Sequence, residues 1–162
     1  MPAPGARAEQ PAYRVLIVDD SAVVRQALRE IIESDPSLEV MGAVGDPYAA
    51  AQKIRHETPD AIILDLEMPK MDGLTFLRKL MAQHPLPVVV CSSHASANSE
   101  ILVKARLAGA VDVICKPQMA AREFFDAQRT AICNALRSAA QAKVKGASFT
   151  KSEPKLTADV MV

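Results

Sequence analysis

Five short runs of apolar and β-branched residues alternate along the chain with longer segments in which apolar residues recur at helical spacing. Four of the runs are almost continuously apolar, as expected for parallel strands that are covered by helices on both faces. The run over residues 38–44 partly alternates, which is typical of a strand at the edge of a sheet. The predicted strands cover residues 14–18, 38–44, 61–64, 88–91 and 111–115.

The segments between these runs carry helix signals at their ends as well as a helical period. Asp46 followed by Pro47 is typical of a helix start, and Gly109 suits the residue that follows a helix. This regular alternation predicts an α/β fold built from five βα units around a parallel sheet. The predicted helices cover residues 24–32, 47–54, 74–81 after Gly73, 96–107 and 120–136.

The composition fits one domain with a full core and a tail. The chain has 162 residues, of which 49% are hydrophobic and 23% are charged. From about Lys143 the periodic pattern is lost and Lys, Ser, Gly and Pro mix, as in a linker. We therefore predict a flexible extension over residues 1–12, a globular domain over 13–142 and an interdomain linker over 143–162, with no effector domain in this chain.

Charge and cysteine content narrow the classes of partner. The 19 basic and 19 acidic residues cancel, which gives no electrostatic case for binding nucleic acid or a membrane surface. No signal peptide or membrane span is apparent, so a cytoplasmic protein is predicted. Cys91, Cys115 and Cys133 have neither disulfide-framework nor metal-ligand spacing and are predicted to be reduced core residues.

Polar residues stand at the ends of four predicted strands. Asp19 and Asp20 follow the first strand, Asp65 the third, Ser92 the fourth and Lys116 the fifth. A doubly wound, flavodoxin-like sheet with strand order 2-1-3-4-5 binds ligands at the carboxyl ends of its strands, where the order reverses. The first and third strands are neighbours in that order, so the three carboxylates are expected within one or two strand spacings of ~4.8 Å.

Such a group of side chains has a chemistry of its own. Three close acids repel one another and favour a bound cation, and ligation by oxygen alone suits Mg²⁺. A carboxylate nucleophile, a metal, a hydroxyl and a lysine together describe a pocket for a transferring phosphoryl group. A single aspartate at a strand end is more often a helix cap or a solvated loop residue. The agreement of four strand ends favours the functional interpretation.

The motifs "VLIVDDSAVVRQAL", "ILDLEMPKMDGLTFL", "CSS" and "AGAVDVICKP" resemble the receiver domain of two-component response regulators, over Tyr13 to about Arg137. The resemblance implies that Asp65 accepts a phosphoryl group from a histidine kinase. It also implies that Asp20 ligates Mg²⁺, with help from Asp19, and that Glu67 offers the metal its backbone carbonyl.

The resemblance assigns the remaining site residues as well. Ser92 would bind a phosphoryl oxygen after activation, Lys116 would pair with it, and the Lys116–Pro117 peptide bond would be cis. One position departs from the family, because Val113 stands where an aromatic side chain usually changes rotamer on activation. The sequence therefore gives no support for an activation signal that depends on the rotamer of an aromatic residue at this position.

Among receivers, "HPLPVVVCSS" and "MPKMDGLTFLRKLM" are most similar to the N-terminal domain of chemotaxis protein-glutamate methylesterases. That resemblance implies an attached hydrolase domain that demethylates and deamidates chemoreceptors, and a chemotaxis histidine kinase as phosphodonor. No G-x-S-x-G hydrolase motif occurs in these residues, so whether this chain is itself an enzyme stays open. A freestanding receiver, acting as a phosphate sink or a docking module, is the alternative.

Two other classes of protein fit less well. A haloacid dehalogenase-type phosphatase needs a second aspartate where Glu67 stands. A transcription regulator is disfavoured, because it would need a DNA-binding domain and the neutral tail offers none.

Overall fold

The computed structural model describes residues 11–67, 72–92, 100–115 and 122–144, without the side chains of residues 115, 122–127 and 143–144. Five strands and five helices alternate through this part of the chain. The strands are β1 (Tyr13–Val18), β2 (Leu38–Val44), β3 (Ala61–Asp65), β4 (Val88–Ser92) and β5 (Asp112–Cys115). The helices are α1 (Ala22–Glu33), α2 (Pro47–His56), α3 (Gly73–Gln83), α4 (Glu100–Ala108) and α5 (Arg122–Val144).

The strands form one parallel sheet in the order β2-β1-β3-β4-β5. This confirms the predicted fold class and strand order. It also confirms the partly alternating β2 as an edge strand. Neighbouring strands run in the same direction, so all five carboxyl ends lie along one edge of the sheet.

The two faces of the sheet bury separate hydrophobic clusters. One cluster packs alternate strand residues such as Leu16 and Leu64 against α2, α3 and α4. The other packs the intervening residues, such as Ile17 and Ile63, against α1 and α5. Burial on both faces explains why four strands are continuously apolar. Within the described residues, no helix is both long and apolar enough to cross a bilayer.

The helix ends follow the signals seen in the sequence. Asp46 caps α2 by accepting a hydrogen bond from the backbone N–H of Ala49 at 2.9 Å. Gly109 adopts a φ of 118°, a conformation that favours glycine after a helix, and its N–H donates to Arg106 O. The predicted starts of the fourth and fifth helices, near residues 96 and 120, lie outside the described residues. The described part of α5 continues to Val144, past the last apolar residue of its predicted stripe.

Candidate functional site

The end of β1 delivers two adjacent aspartates into different environments. Asp19 is buried, with 1% of its surface exposed, whereas Asp20 is exposed. One oxygen of Asp19, Oδ1, accepts a hydrogen bond from Ser21 N–H at 2.9 Å. The Ser21 hydroxyl in turn caps α1 by accepting from Val24 N–H at 3.2 Å. The start of α1 therefore fixes the orientation of the buried carboxylate.

A basic residue on α1 also holds this loop, although sequence analysis gave it no role. Arg25 Nη1 donates to the backbone carbonyl of Asp19 at 2.7 Å. A Cβ atom on Gly45 would lie only 3.0 Å from that nitrogen, so glycine leaves the guanidinium its space. On the β2 side, Asp19 N–H donates to Val44 O at 3.0 Å. Arg25 thus positions the acidic loop through its backbone.

Asp65, the last residue of β3, is buried with 1% of its surface exposed. The strand register pairs Val18 with Leu64, so the residues that follow them, Asp19 and Asp65, lie at the same level of the sheet. The backbone N–H of Glu67 donates to Asp65 Oδ1 at 2.9 Å. The carboxylate is therefore held in a fixed orientation at the edge where ligands bind in such sheets.

The loop after Asp65 returns close to the strand it leaves. Leu66 N–H donates to Cys91 O at 3.2 Å, and Gly73 N–H donates to Leu66 O at 3.3 Å. A Cβ atom on Gly73 would lie 2.5 Å from Leu66 Cα and 3.0 Å from Asp65 O. Only a glycine allows this approach of two backbones, and so the first residue of α3 fixes the loop beside Asp65.

The three aspartates form the acidic cluster predicted from the strand ends. One carboxylate oxygen each of Asp19, Asp20 and Asp65 can be chosen so that all three lie within 4.8 Å of one another. Like charges at this separation repel, and a cation between them would relieve the repulsion. Two buried ligands and one exposed ligand, all oxygen, suit a hard divalent cation that keeps part of its water shell. The residues present therefore fit a cation of this kind.

Ser92, the last residue of β4, is completely buried beside the acidic cluster. The register pairs Asp65 with Cys91, which places Ser92 one residue beyond Asp65 along the neighbouring strand. The Ser92 hydroxyl donates to Glu67 Oε2 at 2.8 Å. The prediction gave Glu67 a backbone role only, and this side-chain contact was missed because the two residues are 25 positions apart in sequence.

Other residues named in the predictions fall only partly within the described residues. Lys116 and Pro117 lie outside the described residues, as does the side chain of Cys115. Cys91 and Cys133 are buried and form no disulfide, as predicted, and burial raises the pKa of the Cys133 thiol. Val113 is half-buried and packs against the hydrophobic cluster on the face of the sheet covered by α2, α3 and α4.

Residues 15–128 match the family model of the response regulator receiver domain. The chain is 52% identical, over 92% of its length, to "Protein-glutamate methylesterase/protein-glutamine glutaminase 5" of Anaeromyxobacter dehalogenans. It is 49% identical, again over 92% of its length, to "Protein-glutamate methylesterase/protein-glutamine glutaminase 3" of Geobacter metallireducens. The match covers 42% and 43% of these two relatives, so the chain spans less than half of their length.

Solved structures give the same assignment. The response regulator domain of Thermotoga maritima CheB is 35% identical, with a TM-score of 0.73 over 80% of this chain and 97% of that one. The complex of the P1 domain of CheA3 with CheY6 from R. sphaeroides contains a chain that is 32% identical, with a TM-score of 0.65 over 80% of this chain and 99% of that one. The matched residues, the strand order and the structural neighbours agree: the chain belongs to the response regulator receiver family, among relatives that are protein-glutamate methylesterases and protein-glutamine glutaminases.

Proposed function

We propose that Asp65 accepts a phosphoryl group from a chemotaxis histidine kinase and that the acyl phosphate regulates an attached methylesterase and glutaminase. The observation that carries this proposal is the placement of Asp65. It is a buried carboxylate at the end of a central strand, oriented by Glu67 N–H, with Asp19 and Asp20 on one side and Ser92 on the other. A structural aspartate would not need two further acids beside it.

The reaction is an in-line displacement at phosphorus. A carboxylate oxygen of Asp65 forms the new P–O bond while the bond to the donor nitrogen or oxygen breaks, and the donor leaves with the electron pair. The hydrogen bond from Glu67 N–H holds the nucleophile in one orientation, which lowers the entropy cost of attack. Arg25 contributes indirectly, because it holds the carbonyl of Asp19 and hence the acidic loop.

The acidic cluster would hold Mg²⁺. Asp19, Asp20 and Asp65 would supply carboxylate oxygens, with the backbone carbonyl of Glu67 as a further ligand. When bound, the ion supplies positive charge that offsets the negative charge of the phosphoryl oxygens. The separation of the three oxygens, at most 4.8 Å, supports this part of the proposal.

Two other residues act on the phosphoryl group in this proposal. Ser92 donates a hydrogen bond to one of its oxygens, and Lys116, the residue after β5 in sequence, pairs with another. The acyl phosphate then favours a second arrangement of the domain, in which Ser92 and the loop after β4 have moved toward Asp65. Val113 is too small to provide the movement of an aromatic ring that the family resemblance would imply.

The two relatives are protein-glutamate methylesterases and protein-glutamine glutaminases of which this chain matches less than half, which supports a second, hydrolase domain in the intact protein. Chemoreceptors would then be its substrates, and the protein would be cytoplasmic. A freestanding receiver that acts as a phosphate sink or a docking module is the alternative. The coding sequence beyond Val162 separates the two, because the methylesterase requires a G-x-S-x-G motif there.

Incubation with Mg²⁺ and a small phosphodonor, followed by intact-mass measurement, tests the proposal. We expect one phosphoryl adduct on the wild type and none on Asp65→Asn. Asp72→Asn, an exposed aspartate before α3, is the control and should label like the wild type. An unlabelled wild type, or labelling of Asp65→Asn at the wild-type rate, would refute the assignment of Asp65.

A further inference from the structure

The hydrogen bond between Ser92 and Glu67 connects two site residues through their side chains. Ser92 Oγ donates to Glu67 Oε2 at 2.8 Å, and the acceptor belongs to an exposed side chain while the donor is fully buried. A hydrogen bond from a hydroxyl to a carboxylate is stronger than one between neutral groups. It therefore gives Ser92 a definite orientation, directed to Glu67.

The Ser92 hydroxyl carries one proton, which it can donate to one acceptor at a time. In the described structure that acceptor is the carboxylate of Glu67. In the proposed function it is an oxygen of the phosphoryl group on Asp65. The two arrangements exclude each other, so phosphoryl capture must break the hydrogen bond to Glu67.

Glu67 is also placed to sense the phosphoryl group. Its backbone N–H donates to Asp65 Oδ1, while its side chain accepts from Ser92. A phosphoryl dianion on Asp65 would bring new negative charge near the Glu67 carboxylate, and like charges repel. Phosphorylation of Asp65 would therefore offer Ser92 a new acceptor and at the same time weaken its hydrogen bond to Glu67.

We propose that Glu67 is a positioning residue. Its carboxylate holds Ser92 in the unphosphorylated arrangement and so opposes phosphoryl binding at Asp65. This inference rests on the proposed function and adds a residue that sets the affinity of the domain for the phosphoryl group. Removing the acceptor should release Ser92 and favour the phosphoryl-bound state. Glu67→Met removes both the acceptor and the charge at similar length, and Glu67→Gln keeps a neutral acceptor.

The experiment measures the affinity for beryllofluoride, a phosphoryl mimic, by calorimetry in saturating Mg²⁺. We expect Glu67→Met to bind it roughly three- to tenfold more tightly than the wild type, a range set by the modest net strength of such hydrogen bonds. Glu67→Gln should lie between the two. Glu33→Met removes the same charge from an exposed site at the far end of α1 and should leave the affinity unchanged.

A double-mutant cycle separates positioning from simple charge repulsion. If Glu67 acts through Ser92, the gain from Glu67→Met should shrink markedly in a Ser92→Ala background, where only the relief of charge repulsion is left. If it only repels an anion, the gain should persist there. An undiminished gain in the Ser92→Ala background, or an affinity of Glu67→Met equal to or weaker than that of the wild type, would overturn the inference.

The proposed function fails in a different way. Wild-type protein that binds no beryllofluoride, or binds it as well after Asp65→Asn, would refute Asp65 as the phosphoryl site and the role of Glu67 with it. Urea unfolding of the ligand-free variants gives a second readout. The costs of Glu67→Met and Ser92→Ala should be less than additive, because either change alone removes the same hydrogen bond, and additive costs would contradict it.

Discussion

Replacing Asp65 by Asn should make the metal-free protein more stable, although it removes the proposed nucleophile. The substitution takes one negative charge out of the acidic cluster and keeps the shape of the side chain. The Asn carbonyl oxygen can still accept the hydrogen bond that Glu67 N–H donates to Asp65. The change therefore isolates the electrostatic repulsion within the cluster.

The size of the effect follows from the geometry. At the 4.8 Å limit that separates the cluster oxygens, two unit charges repel by about 3.5 kcal/mol at an effective dielectric constant of about 20. Asp20 is exposed, so water screens its share, and the buried Asp19 contributes most. A hydrogen bond to a neutral acceptor is weaker than one to a carboxylate by roughly 1 kcal/mol, which offsets part of the gain. We expect a net stabilisation of ~2–3 kcal/mol.

Urea unfolding in the presence of a chelator measures this difference. Asp72→Asn is the matched control, since the Asp72 side chain is exposed and caps no backbone N–H of α3. It accepts a hydrogen bond from the Thr75 hydroxyl at 3.4 Å, which an Asn oxygen can also accept. It should change the free energy of unfolding by less than ~0.5 kcal/mol. Added Mg²⁺ should then stabilise the wild type more than Asp65→Asn and narrow the gap, because the ion binds the folded cluster. An Asp65→Asn protein no more stable than Asp72→Asn in chelator would refute the crowded acid site.

Three further predictions concern the scaffold. Gly73→Ala should destabilise the fold by ~2 kcal/mol or more, because its Cβ would lie 2.5 Å from the backbone of the loop after β3. Gly42→Ala should cost less than ~1 kcal/mol, because the one atom that its Cβ would crowd is the flexible end of Lys53, while Leu16 lies at ordinary contact distance; equal losses in thermal unfolding would contradict this. Asp46→Ala should cost ~1 kcal/mol in urea unfolding through loss of the α2 cap, with Asp46→Asn largely restoring it, and two equal losses would argue against the cap. Burial raises the pKa of Asp35, but the hydrogen bonds from Ser37 and the nearby guanidinium of Arg137 outweigh burial and bring the pKa below its ordinary value. The Asp35 carboxylate therefore stabilises the fold above about pH 4, and this stabilisation is lost as the pH falls through the lower folded pKa. The free energy of unfolding of Asp35→Asn should fall less steeply with acid than that of the wild type, and an equally steep fall would contradict this.

Much of the fold and the cluster could be predicted because both depend on short-range patterns. Continuous apolar runs are enough to identify strands that are buried on both faces, and each run ends at a polar residue that marks the edge of the sheet. Once β1 and β3 are neighbours, Asp19 and Asp65 follow the paired residues Val18 and Leu64 and must lie close together. Local caps such as Asp46 are equally visible, because their partners are three residues away.

The finer features depend on contacts that no local pattern encodes. The sequence does not distinguish Asp19 from Asp20, yet one is buried and the other exposed, since consecutive residues after a strand point in different directions. The reach of Arg25 to the Asp19 carbonyl depends on the packing of α1 beside β2. The hydrogen bond from Ser92 to Glu67 depends on the register between β3 and β4 and on the loop after Asp65.

The most direct test of the account is to locate the phosphoryl group chemically. The protein would be treated with a phosphodonor and Mg²⁺ and then with borohydride, which reduces an acyl phosphate to the alcohol and converts the modified aspartate to homoserine. Peptide sequencing by mass spectrometry would then identify the residue. The account predicts homoserine at position 65 alone. Homoserine at Asp19 or Asp20, which lie within the same acidic cluster, would contradict it.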